Sequence, residues 1–233
     1  MYDPRGISVR MASGSDGRDV IQMRVDLGVL QLEVKGRPDG STPHGQATYA
    51  DYLDAQALEL GPDYTLTEDD CEEADREFVQ FYHRRICWLA LRKFSLAVAD
   101  ADHTLHLMDL CREYSPDEQW TISHEQYRPF VLFHRTQASA LAQLEEKNPE
   151  AAIQEINSGL EKMKALFNRY EASEHFEDDE LVQRLIETRE TLRAEHSIGR
   201  TLQEQLADAI ASEQYELAAK LRDELNGRSP NRR

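Results

Sequence analysis

A mainly α-helical fold is what this sequence predicts: helical hairpins preceded by a short N-terminal β-type segment and closed by a C-terminal antiparallel helical hairpin. From residue 67 onward apolar side chains recur at steps of three and four, the spacing that gathers them on one side of a helix. Strict alternation is clear only between Val20 and Val34, where it predicts strands. Hydrophobic residues make up 40% of the 233 residues against 30% charged, enough to build a sizeable core.

Residues 1–19 are polar and contain Gly6, Gly14 and Gly17, which predicts a mobile tail. Next, Ile21, Met23, Val25 and Leu27 alternate with polar partners, and the apolar set then shifts to Leu30, Leu32 and Val34. A shift from odd to even positions needs a bulge or tight turn, assigned to Gly28 and Val29. The stretch GRPDG, Gly36 to Gly40, is a turn signal. Two strands alone are marginal and need a surface to dock on. Residues 51–80 hold eleven acids against the single Arg76, and Gly61-Pro62 breaks the chain, so 20–66 reads as a β-type segment with an acidic linker. With a net charge of −17 the chain repels phosphate, which argues against direct nucleic-acid binding.

Thr67 followed by Asp70 predicts a capping box. It opens a helix on which Phe78, Phe81, Tyr82, Ile86, Leu89 and Ala90 share a side. A turn near Lys93 and Phe94 leads to a second helix with Leu96, Ala97, Asp100, Ala101, Thr104, Leu105 and Met108 in step. The same order returns downstream. Pro129 suits a first turn of a helix from Phe130 to Leu144, Asn148-Pro149 breaks it, and another helix follows. At a constant offset of 55, Phe94 falls on Pro149, Ala97 on Ala152, Thr104 on Gly159 and Leu105 on Leu160. Small residues coincide where paired helices would approach most closely.

Across residues 78 to 167 this pattern resembles tetratricopeptide repeats, with a period longer than the usual ~34 residues and an insertion from Tyr114 to Tyr127. An irregular helical bundle is the alternative. Residues 67–170 form the repeat-like domain, and 171–197 a charged connecting helix. On that helix Leu181, Leu185, Thr188 and Leu192 make one stripe, as in a solvated or coiled-coil helix.

The stretch RTLQEQLADAIASEQYELAAKLRDEL divides at Ser212 to Gln214 into two short helices spanning 198–226, with a tail at 227–233. Leu202, Leu206, Ala209 and Ile210 line the first, and Leu217, Ala218, Leu221 and Leu225 the second. The pattern closely resembles the UVR motif, found in two subunits of the bacterial excinuclease, at the end of the one that is loaded onto DNA with ATP and inside the other, and in activators of bacterial protein-arginine kinases. The matching positions are Leu206, Ala209 and Ile210, then Tyr215, Glu216, Ala218, Ala219, Leu221, Arg222 and Asp223. That resemblance implies a bacterial interaction module in which two hairpins associate through their apolar faces. Ala218 and Ala219 would permit close approach, Tyr215 and Leu221 fill the seam, and Arg222 and Asp223 set register at the rim. The partner would be another such hairpin, on a second copy of this chain or on an excinuclease subunit. The alternative is a hairpin folded onto its own helical body.

Signals for chemistry are sparse. No GxxxxGK[ST] loop is present, which excludes the ATP-driven DNA loading known from the excinuclease. Cys71, Cys87 and Cys111 stand apart without a CxxC pair, so neither a disulfide frame nor zinc is expected, and they read as buried or idle thiols. His103, His106 and Asp109 lie at steps of three beside Asp102. Such steps drift around a helix, so a polar face is the expectation and a metal-dependent enzyme using His103 and His106 the remote alternative. The acidic run from Thr67 to Asp75 lacks the spacing of a calcium loop and suits a helix start. No apolar run spans a bilayer and the first twenty residues hold no apolar signal core, which predicts a cytoplasmic protein. The expected function is a non-enzymatic, cofactor-free adaptor, with an accessory factor of nucleotide excision repair as the alternative.

Overall fold

A computed structural model describes residues 6–228 of the chain. It is mainly helical with a small three-stranded antiparallel sheet at the N-terminal side, strands in the order β1 (Val9–Ser13), β2 (Asp19–Val25), β3 (Gly28–Glu33). Strand β1 corrects the mobile-tail expectation for 9–13; residues 1–5 of that stretch lie outside the described residues. VRMAS keeps most of its side chains in solvent, so it carries no apolar alternation and is held by pairing along β2, Val9 opposite Met23 through Ser13 opposite Asp19. The second turn is also corrected. It is Asp26-Leu27, with Val25 paired to Gly28, and a two-residue turn exchanges odd for even positions without any bulge. Ile21 therefore faces Leu32 across the ladder. Both are buried in a cluster with Cys87, Trp88, Ala97 and Ala138, which is the docking surface a small sheet needs.

The region read as an acidic linker contains helix α1 (Tyr49–Leu60). Only Tyr49, Ala50 and Leu53 face inward, too narrow a stripe to stand out among the acids. Thr48 caps its start, and Gly61 at φ 77° ends it, a left-handed conformation open to glycine.

The body runs α2 (Glu68–Ala90), α3 (Phe94–Glu113), α4 (Glu118–Glu125), α5 (Arg128–Glu145), α6 (Pro149–Arg169) and α7 (Glu180–His196). The capping box at Thr67 and Asp70 forms in both directions, and Asn148 caps α6. Helices α2 and α3, and α5 and α6, are antiparallel neighbours joined by short links. Arg92 and Lys147 take positive φ in those links. Helix α3 lies between α2 and α5, and α6 between α5 and α7. A Cβ on Gly159 would sit 2.1 Å from Thr136 Oγ1, so the small residue lies where α5 and α6 approach too closely for a larger one. Helix α7 is not a solvated connector: Val182, Leu185 and Leu192 are buried with Ile153, Ile156 and Met163. Its Glu residues and Arg184 face outward and hide that stripe; Thr188, grouped with the leucines by spacing, is exposed.

Buried charge fixes the parts to each other. Arg84 on α2 donates bidentately to Asp100 on α3 at 2.8 and 2.9 Å, and its third nitrogen reaches the carbonyls of Glu33 and Gly36 at 3.1 and 2.7 Å. Glu77 is wholly buried and accepts from the backbone N–H groups of Tyr49 and Ala50 at 2.7 and 3.1 Å. That places a carboxylate at the positive end of α1.

His134 on α5 gives the body an acid limb. Burial, then the charges of Arg85 and Arg184, push its pKa from 6.5 down to about 4, and Nδ1 has no partner. Between those values the unfolded chain takes up a proton that the native chain refuses, so stability falls as pH drops from 6.5 towards 4. His134→Gln should flatten the pH dependence of the urea midpoint in that window by on the order of 1–3 kcal/mol. An unchanged slope would contradict this.

Candidate functional site

The C-terminal hairpin consists of α8 (Leu202–Ala211) and α9 (Tyr215–Arg228). Helix α9 extends through residues 227–228, which were expected to be tail; 229–233 lie outside the described residues. A capping box starts α8: the Thr201 side chain accepts from the Glu204 N–H and the Glu204 carboxylate from the Thr201 N–H. The turn closes with Glu213 at φ 57° and a bond from Gln214 N–H to Ala209 O at 2.7 Å.

Apolar residues inside this hairpin form a core of their own. Ala209, Ala218 and Leu221 are buried, with Leu202 and Leu206 packed against them, and Leu225 is half-buried. Helix α9 turns about 100° per residue, so the alanine pair divides: Ala218 faces α8 while Ala219 is exposed. Ala218 and Leu221, which the motif pattern assigns to a seam between hairpins, are thus buried in the seam within this one. What the hairpin leaves uncovered is grouped at its turn, with Ile210 55%, Tyr215 69% and Leu217 45% exposed. Glu216, Arg222 and Asp223 are also exposed. Arg222 bonds its neighbour Asp223 at 3.1 Å, a contact that fixes little in water.

Attachment to the body combines Ile198, packed on the core of α5, α6 and α7, with ion pairs. Arg193 on α7 pairs with Glu204, and Arg189 stands 3.7 Å from the same carboxylate. Partial burial alone would raise the Glu204 pKa, but the Thr201 N–H and Arg193 hold it below its ordinary value.

The histidines are accounted for by other contacts. His103 Nε2 lies 2.9 Å from buried Glu77 with its ring stacked on Phe81 at 3.7 Å, and His106 pairs with Asp54 on α1 at 2.7 Å. The two go to separate partners, and the described residues bring together no group of three or more metal-ligating side chains. The cysteines are free thiols; burial pushes Cys71 to about 11 and Cys87 to about 12. Among the described residues no helix is long and apolar enough to cross a membrane.

Compared with known proteins, residues 200–227 match the family model described as the UvrB/uvrC motif. No curated protein and no solved structure matches the chain, so the repeat-like reading of the body rests on its helix order alone.

Proposed function

We propose that the chain is a non-catalytic adaptor whose C-terminal hairpin docks another protein through its turn end. The observation that carries this reading is the division of labour in the hairpin: Ala209, Ala218 and Leu221 close its own core with Leu202 and Leu206, while Ile210, Tyr215 and Leu217 remain in solvent around the turn. Helices of 10 and 14 residues sharing so small a core gain stability from any apolar surface that covers that end. A second hairpin of the same kind, on another copy of this chain or on an excinuclease subunit, is the partner the UvrB/uvrC match favours. In the repair reading, contact with DNA is indirect, because a net charge of −17 opposes it.

The test is a double substitution, Ile210→Glu with Tyr215→Glu, in the full chain. Both side chains are exposed, so far-UV circular dichroism should be unchanged. Sedimentation should show self-association abolished, or capture of the isolated excinuclease subunit lost. A wild-type chain that stays monomeric and captures neither of the two motif-bearing excinuclease subunits overturns the proposal.

A further inference from the structure

Between α2, α3, α4 and α5 lies a cavity of about 460 Å³, in the size range of small-molecule sites. Phe78, Tyr82 and Phe130 wall it, Met108 and Val131 floor it, and His124 on α4, bonded to Asp75 at 2.7 Å, closes one side. Among aromatic and aliphatic side chains that make up most of this lining stands one arginine, Arg85, itself 1% exposed.

Arg85 breaks a pattern. Of the buried arginines described, Arg37 pairs with Glu73, Arg84 with Asp100 and Arg128 with Glu125. Arg85 has no carboxylate. Its Nη1 donates to Thr104 Oγ1 at 3.1 Å, its Nε has no partner, and Asp100, whose field reaches it, is already held bidentately by Arg84. Burying a guanidinium without an anion is costly, and nothing within the described fold supplies one.

We propose that this cavity binds a small monocarboxylate with an apolar body. The carboxylate takes the vacant donors of Arg85, and the hydrocarbon lies against Phe78, Tyr82 and Phe130. A single guanidinium matches one negative charge, and the forked geometry suits a carboxylate. A dianion such as phosphate meets no second arginine or lysine in the lining and faces Asp75, which already holds His124, at the mouth. Enclosure by α4 favours a free small acid over a length of chain.

The full-length protein is titrated calorimetrically with 3-phenylpropionate and hexanoate, with 3-phenylpropanamide and inorganic phosphate as controls. Saturable binding of the acids, at least tenfold tighter than either control, is expected. Arg85→Met should abolish it while the melting temperature holds or rises, since an unpaired buried charge is removed. Should Arg85→Met fail to fold, Tyr82→Glu decides: Tyr82 is on the rim, its ring centroid 5.9 Å from the Arg85 guanidinium carbon. The new carboxylate should occupy the site from within, blocking the acids and raising the melting temperature. The proposal is overturned if neither acid binds, if the amide binds as well as the acid, or if either folded variant retains wild-type affinity. It is equally overturned if an acetylated, amidated Phe-Glu dipeptide binds through Arg85 and the free acids do not.

Discussion

Glu77→Ala is expected to cost the body about 3–5 kcal/mol, the range for removing one member of a fully buried charged network. One carboxylate serves three segments. It accepts the first N–H groups of α1, it stands 2.9 Å from His103 Nε2 on α3, and it faces Arg37 Nε at 3.5 Å, itself 3% exposed. Alanine leaves two backbone donors and an imidazole without their acceptor in a site closed to water, and takes one of its neighbouring carboxylates from Arg37, which keeps Glu73 at 2.8 Å. Desolvation then counts in full against the native state. Glu77→Gln, which keeps the shape and the acceptor oxygen, should recover part of the loss. Guanidinium unfolding measures both; a loss below about 1 kcal/mol for the alanine variant would mean that water or Glu73 substitutes for the missing group.

Ala218→Glu should unfold the hairpin and leave the body intact. Ala218 is 8% exposed against Ala209 at 2%, and a glutamate there must either bury its charge or force α8 and α9 apart. The cost is about 3 kcal/mol or more, which two short helices with five apolar core contributors cannot absorb. Expected signs are a loss of helical ellipticity, protease cleavage within 201–228, and a body melting temperature that does not move. Ile210→Glu with Tyr215→Glu, by contrast, removes association from a folded hairpin. If Ala218→Glu lowered the melting temperature of the body, the hairpin would be packed on it through more than Ile198 and the Arg193 and Glu204 pair.

The helices are legible in the sequence wherever both a boundary signal and a wide apolar stripe are present. Thr67 with Asp70, Asn148-Pro149 and the break at Ser212 to Gln214 all end or begin elements where the spacing places them. Elements with one signal only are misleading. Strand β1 has neighbours in β2 but little inward side chain, so its reason for existing is non-local. Helix α1 buries three residues, and the acids around them dominate any local reading. In α7 the same masking makes a core helix look like a connector. At the hairpin, the pattern of the motif marks the right residues, but spacing does not say whether Ala218 packs within a hairpin or between two. Arg85 escapes notice because adjacent Arg84 and Arg85 look alike in sequence; only the fold shows that one has a carboxylate and the other does not.

The grip of Arg84 on the sheet implies an order of assembly. The helix pairs α2–α3 and α5–α6 meet across short links, so their contacts close small loops and form early. The carbonyls of Glu33 and Gly36, by contrast, lie 51 and 48 positions before Arg84, and Arg84 is aimed at them only once Asp100 has fixed its guanidinium. The N-terminal strands thus have nothing to dock on until α2 and α3 are paired. The sheet is expected to settle after these helices and to open before them, which native-state hydrogen exchange would read as weaker amide protection over 9–33 than over α2 and α3.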